Sequence, residues 1–91
     1  MKTTFRVRLL AGHDDGVVDA SLETDLPFVP TSDTGFNHPA FGEHAKTVVE
    51  VSYNLETEEL YAVFPDEQFS SKEERREMAA WFKDHGWTIS H

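Results

Sequence analysis

The sequence predicts an α+β fold: an antiparallel sheet of four to five strands built from two hairpins, with one C-terminal amphipathic helix packed on one face. Three observations carry this prediction. Residues 3–10 (TTFRVRLL) set Phe5, Val7 and Leu9 against Arg6 and Arg8, the two-residue period of a half-buried strand. Residues 47–53 (TVVEVSY) and 60–64 (LYAVF) are rich in β-branched and aromatic side chains and flank a polar connection. Residues 71–86 carry both a helix start and a helix stop.

Taken in order, the first strand leads into His13-Asp14-Asp15-Gly16, which reads as a hairpin turn because Asp-Gly tolerates positive φ. Val17 to Leu22 returns as the second strand, with Val18, Ala20 and Leu22 on one face and Asp19 and Ser21 on the other. In the second hairpin, Val49, Val51 and Tyr53 share a face, as do Leu60, Ala62 and Phe64. Pro65 ends that strand, since it has no N–H for the ladder. Ser71 and Glu74 form a capping box. Met78, Trp81, Phe82 and His85 then fall on one helical stripe, the expected core face. Gly86 suits the left-handed position after the helix, with Trp87 folding back on Phe82, and Thr88-Ile89 can add a short last strand.

At 91 residues the chain is expected to form a single domain over 1–91, with one irregular loop at about 23–45. In that loop Pro27, Pro30, Gly35, Pro39 and Gly42 break any regular element, yet Leu26, Phe28, Val29, Phe36 and Phe41 are too apolar to stay solvated. It therefore packs as an ordered loop or offers its aromatics to a partner. No cysteine is present, which removes disulfides, thiolate metal sites and cysteine nucleophiles together. No apolar run approaches the ~20 residues of a membrane span, and no secretory signal stands at the N-terminus, so a cytoplasmic protein without membrane contact is expected.

Charge is the most informative bulk property. The net charge is −9, and it is unevenly spread. Lys2, Arg6 and Arg8 make the first ten residues basic, whereas residues 11–67 hold thirteen carboxylates and one basic residue, Lys46. Such a field repels nucleic-acid phosphates and acidic membranes, excludes direct nucleic-acid binding and favours a protein partner with a basic surface.

Two sets of residues carry the functional expectations. The acidic set is Asp14, Asp15, Asp19, Glu50, Glu56, Glu58 and Glu59, which would steer a basic partner; Phe28, Phe36 and Phe41, where exposed, would anchor it. The expected function is that of a small acidic binding protein, an inhibitor or adaptor docking on a basic protein surface such as one that grips nucleic acid. In being short, acidic, cysteine-free and without catalytic signatures, the chain is similar to phage-encoded inhibitors of host defence nucleases; the likeness is of composition and covers no motif. It implies an anti-defence or DNA-mimic inhibitor.

The alternatives are a metal-dependent or acid–base enzyme using His38, Glu43 and His44, and a structural subunit of a larger assembly. The histidine spacing matches no helical metal motif, because Pro39 and Gly42 interrupt it. Asp14, Asp15, Gly16, Asp19 and Glu23 do not keep the spacing of a calcium loop. There is no G-x-S-x-G elbow, no S-x-x-K and no glycine-rich phosphate loop, so no catalytic residue and no cofactor are assigned.

Overall fold

The computed structural model describes residues 1–12 and 14–91, and the side chains of all of these except 14 and 15. The protein is α+β, with one helix packed on a mixed six-stranded sheet. Strands β1 (Lys2–Ala11) and β2 (Asp14–Asp25) form the first hairpin. Strands β3 (Gly35–Phe36) and β4 (Lys46–Thr47) make a separate two-stranded pair. Strands β5 (Glu50–Asn54) and β6 (Glu59–Val63) form the second large hairpin. They are followed by β7 (Glu67–Phe69), helix α1 (Lys72–Asp84) and β8 (Thr88–Ser90).

The main sheet runs β5-β6-β1-β2-β8, with β7 also paired to β1. It is mixed rather than antiparallel, because β6 and β7 both run parallel to β1. Each hairpin is antiparallel internally, but the second sits on the far side of β1 from β2. A parallel placement needs a long crossover, and residues 26–49 supply it across one face of the sheet. Strands β6 and β7 continue one line, broken where Pro65 removes an N–H. Arg6 pairs with Val63 but Leu9 pairs with Glu67, so the broken line carries one extra residue.

The first hairpin turns earlier than expected. Asp14 already pairs with Ala11, Gly16 lies inside β2, and Gly12 takes φ +48°. A Cβ there would lie 3.2 Å from the Ser70 carbonyl oxygen, so both the positive φ and this close approach favour glycine. His13, the first residue of the expected turn, lies outside the described residues.

The inner face of β1 is Thr3, Phe5, Val7, Leu9 and Ala11, all buried. Across from it, Val18 and Ala20 of β2 and Leu60 and Ala62 of β6 are buried as well. Helix α1 covers one half of this face with Ala79 and Phe82. Its N-cap is Ser71, whose Oγ accepts from the Glu74 N–H at 3.2 Å; the Glu74 carboxylate reaches back to the Ser70 N–H. At the other end the Trp87 N–H donates to the Phe82 carbonyl and the Gly86 N–H to that of Lys83, a Schellman pair, with Gly86 at φ +94°. The Trp87 and Phe82 rings meet edge to face at 5.1 Å, as expected from the sequence.

The expected helical stripe needs correction at Trp81, which is 45% exposed. Its ring lies on His85, and its Nε1–H donates to the Ala40 carbonyl at 3.0 Å. The buried aromatic below the helix end is Trp87, 3% exposed. A second correction concerns the expected strand 47–53. It breaks between β4 and β5, so that Val48 enters the core and Val49 faces solvent.

The other half of the inner face is covered by the crossover. Pro30 and Val48 are fully buried, and the Asp33 N–H donates to the Val48 carbonyl while the Val48 N–H donates to that of Thr34. Phe36 packs edge-on against Phe5 and Phe64, and Phe41 packs on Phe64. The irregular segment is therefore an ordered cover, the outcome its apolar residues require. Helix and crossover meet where Phe41 touches both Phe82 and Trp87. On the outer face of the sheet, Lys2, Arg6 and Arg8 of β1 are exposed.

Candidate functional site

The outer face carries three of the acidic candidates, Asp19, Glu50 and Glu59, and it also carries the basic row of β1. Lys2, Arg6 and Arg8 alternate along the central strand, flanked by acids on β2 and β6. Lys2 Nζ lies 3.1 Å from Glu59 and 3.9 Å from Glu23. The Lys2 hydrogen bond, with help from Tyr61, holds the Glu59 carboxyl below its usual range, and the same bond raises Lys2. Arg8 grips Asp66 through two guanidinium N–H groups at 2.9 and 2.7 Å. Asp19 stands directly across from Arg8; its Oδ1 is buried with no hydrogen-bond partner among the described residues. Glu50 shares a surface depression with Arg6 and Arg8. The centre of this face is thus locally neutralised.

One end of the sheet differs. Register places Asp25 opposite Lys2 and Glu59 on the other side of it, with Glu23 two residues back on the same face as Asp25. The β5–β6 turn projects from this end. Asn54 Oδ1 accepts from the Glu56 and Thr57 N–H groups at 2.9 and 3.3 Å, and Glu58 takes φ 57°. Glu56 and Glu58 are exposed and enter no ion pair among the described residues. Five carboxylates (Glu23, Asp25, Glu56, Glu58 and Glu59) therefore belong to this end of the sheet and its turn, with Glu23 and Glu59 on Lys2 and Asp25 3.3 Å from the Met1 ammonium. Leu55, at the tip of the turn, is 85% exposed.

The remaining acidic candidates, Asp14 and Asp15, lie on β2, and their side chains fall outside the described residues. Of the three phenylalanines, only Phe28 meets the condition of exposure, at 49%, stacked on Phe36 at 6.2 Å. Phe36 and Phe41 are half-buried in the core instead, because the crossover must cover Phe5 and Phe64. They are walls, not projecting anchors.

His38, Glu43 and His44 are not brought together. Glu43 and His44 are exposed beyond Gly42, which takes φ +72°. Among the described residues no three histidine, aspartate or glutamate side chains are grouped to hold a metal ion. His38 is committed elsewhere. It caps the 3-10 turn Pro39–Phe41, its Nδ1 accepting from the Ala40 N–H at 3.0 Å and from Trp87 Nε1–H at 3.3 Å. An Nδ1 that accepts is unprotonated, so the hydrogen of the neutral ring sits on Nε2. Burial, then the nearby His85, push the His38 pKa below its usual value, which keeps that form dominant.

Beside His38 lies a half-open pocket of about 180 Å³ between the crossover and the inner face of the sheet. Five aromatic rings line it: Phe5, Phe36, Phe41, Phe64 and Trp87. Its polar lining comes from Thr24, Asn37 and His38. Comparison with protein-family models, curated proteins and solved structures finds no match. Function has to be argued from this chain's own residues.

Two features of these sites escaped the sequence reading. Leu55 sat inside a polar connection and had no periodicity to mark it. The pocket needs Trp87 and the first strand to converge on the crossover, a long-range arrangement that no local pattern encodes. The nearest signal was the aromatic density of residues 26–41 beside a lone histidine.

Proposed function

We propose that the protein works by binding, as a small acidic inhibitor or adaptor that docks on a basic protein surface of the kind that grips nucleic acid. The observation that carries this reading is the group of five carboxylates at one end of the sheet and its turn, which outnumbers Lys2 and the Met1 ammonium that pair with three of them. Glu56 and Glu58 enter no ion pair among the described residues. Carboxylates held on adjacent strands and a tight turn keep their spacing, so their field adds coherently toward an approaching partner. Leu55, exposed next to Glu56 on the same turn, supplies an apolar contact beside the acidic group, as interfaces require. Further along β1, Arg8 is engaged by Asp66, which reduces its opposition to the field.

The test is a Glu56→Lys/Glu58→Lys variant, whose sites are exposed and make no ion pair that folding needs. A partner captured on the wild-type protein from cells that contain it would be purified, and its association rate measured at low and high salt. Steered association predicts a rate falling about tenfold or more with salt, and a similar loss in the variant at low salt. Equal rates for variant and wild type, insensitive to salt, would remove the reading.

A further inference from the structure

We propose that the aromatic pocket beside His38 binds a small neutral aromatic molecule bearing one hydrogen-bond acceptor, its ring among Phe36, Phe41 and Trp87 and its acceptor on His38 Nε2. The pocket is a separate site from the acidic end of the sheet, and the argument for it stands apart from the docking reading.

Size comes first. A dry apolar cavity of roughly 150 Å³ holds benzene; at about 180 Å³ this pocket takes one ring with a small substituent. The walls set the class of ligand. Phe36 and Phe41 stand at steep angles to Phe64, at 82° and 75°, and Trp87 is tilted 54° from Phe41. Ring edges and faces are thus presented from several directions, the arrangement in which a further aromatic ring finds offset or edge-to-face neighbours. No Lys or Arg lines the pocket, and neither does any Asp or Glu, so a charged ligand would be desolvated without compensation.

The polar group sets the orientation. Two N–H donors from the protein converge on His38 Nδ1, which fixes both the ring position and the tautomer. The hydrogen is left on Nε2, which makes no hydrogen bond within the protein among the described residues. His38 lines the pocket, and a pre-oriented donor on such a residue, unused within the protein among the described residues, selects for a ligand acceptor.

The experiment uses the whole chain and two probes of the same shape. Acetophenone carries a carbonyl acceptor, and α-methylstyrene puts a methylene in its place. Titration followed by amide and indole resonances should move those of Phe36, Asn37, His38, Phe41 and the Trp87 indole N–H. Acetophenone should bind about fivefold tighter, the worth of one neutral hydrogen bond. His38→Asn tests the donor. The asparagine Oδ1 stands where Nδ1 stood, so it keeps the cap and the acceptor for Trp87 but lacks Nε2. It should abolish the preference for acetophenone and leave α-methylstyrene binding unchanged. The proposal is overturned by an absence of shifts at these residues in the wild type, by equal affinity of the two probes, or by a preference that survives His38→Asn. Tighter binding of acetyl-Gly-Phe-Gly-amide at the same resonances would overturn it too, assigning the pocket to an aromatic side chain of a protein partner.

Discussion

Truncating Phe64 to alanine will lower stability by about 3–5 kcal/mol, the range for large-to-small changes of buried aromatics. Phe64 is essentially inaccessible and sits where β6 gives way to Pro65. Its ring stacks on Phe5 at 5.6 Å and meets Phe41 at 5.1 Å and Phe36 at 6.2 Å. These three contacts come from the central strand and from two separate points of the crossover, so one truncation unseats the cover as well as leaving a void. For a domain of this size each kcal/mol moves Tm by roughly 4–8 °C, and thermal unfolding should show a fall of about 20 °C. A fall of only a few degrees would mean that the crossover does not pack on this ring.

The second large effect distinguishes the two tryptophans. Trp87→Ala removes a buried ring that touches Phe41, Phe82 and His38, and removes the indole donor to His38 Nδ1. It should cost about 3–5 kcal/mol. Trp81→Ala removes a half-exposed ring and one hydrogen bond to the Ala40 carbonyl, a loss of about 1–1.5 kcal/mol. Denaturant titration of both variants reads the difference directly. Equal costs would place Trp81 in the core, as the helical periodicity alone suggests.

That pair also marks where sequence reading succeeds and where it stops. Signals spanning a few residues were legible: the alternation of TTFRVRLL, the Ser71–Glu74 cap, and the Gly86 stop with Trp87 folded back. Each is set by backbone geometry within one or two turns of chain. The parallel placement of β6 beside β1 was not legible, because two hairpins joined by a long segment can be arranged in several ways with the same local patterns. Val49 was grouped with Val51 and Tyr53, but in a TVVEV run either valine satisfies an apolar face, and only the break between β4 and β5 buries Val48 and exposes Val49. Trp81 fits the helical period, but the helix buries a narrower stripe because the crossover occupies the adjoining part of the sheet.

The candidate site divides in the same way. Exposed carboxylates could be named from composition, and Glu56, Glu58 and Glu59 do lie together on one turn and the strand it feeds. What composition cannot show is that Lys2 and Arg8 pair with acids of the outer face, while Glu56 and Glu58 enter no ion pair among the described residues. Phe36 and Phe41 were read as anchors for a partner, yet covering Phe5 and Phe64 from the crossover turns them inward. The same inward turn builds the pocket. His38 is then held by the two N–H donors on its Nδ1.

Both the pocket and the ordering of His38 depend on residues 26–49 being folded onto the sheet. Amide hydrogen exchange resolved by residue tests this most directly. The Asp33 N–H donates to the Val48 carbonyl at 2.8 Å, the Val48 N–H to that of Thr34 at 2.9 Å, and the Phe41 N–H to that of His38 at 2.9 Å. An ordered cover predicts that these three amides exchange at least ~100-fold more slowly than in an unstructured chain, with Val48 approaching the protection of Val7 in β1. Exchange of all three at the unstructured rate, while β1 stays protected, would contradict it.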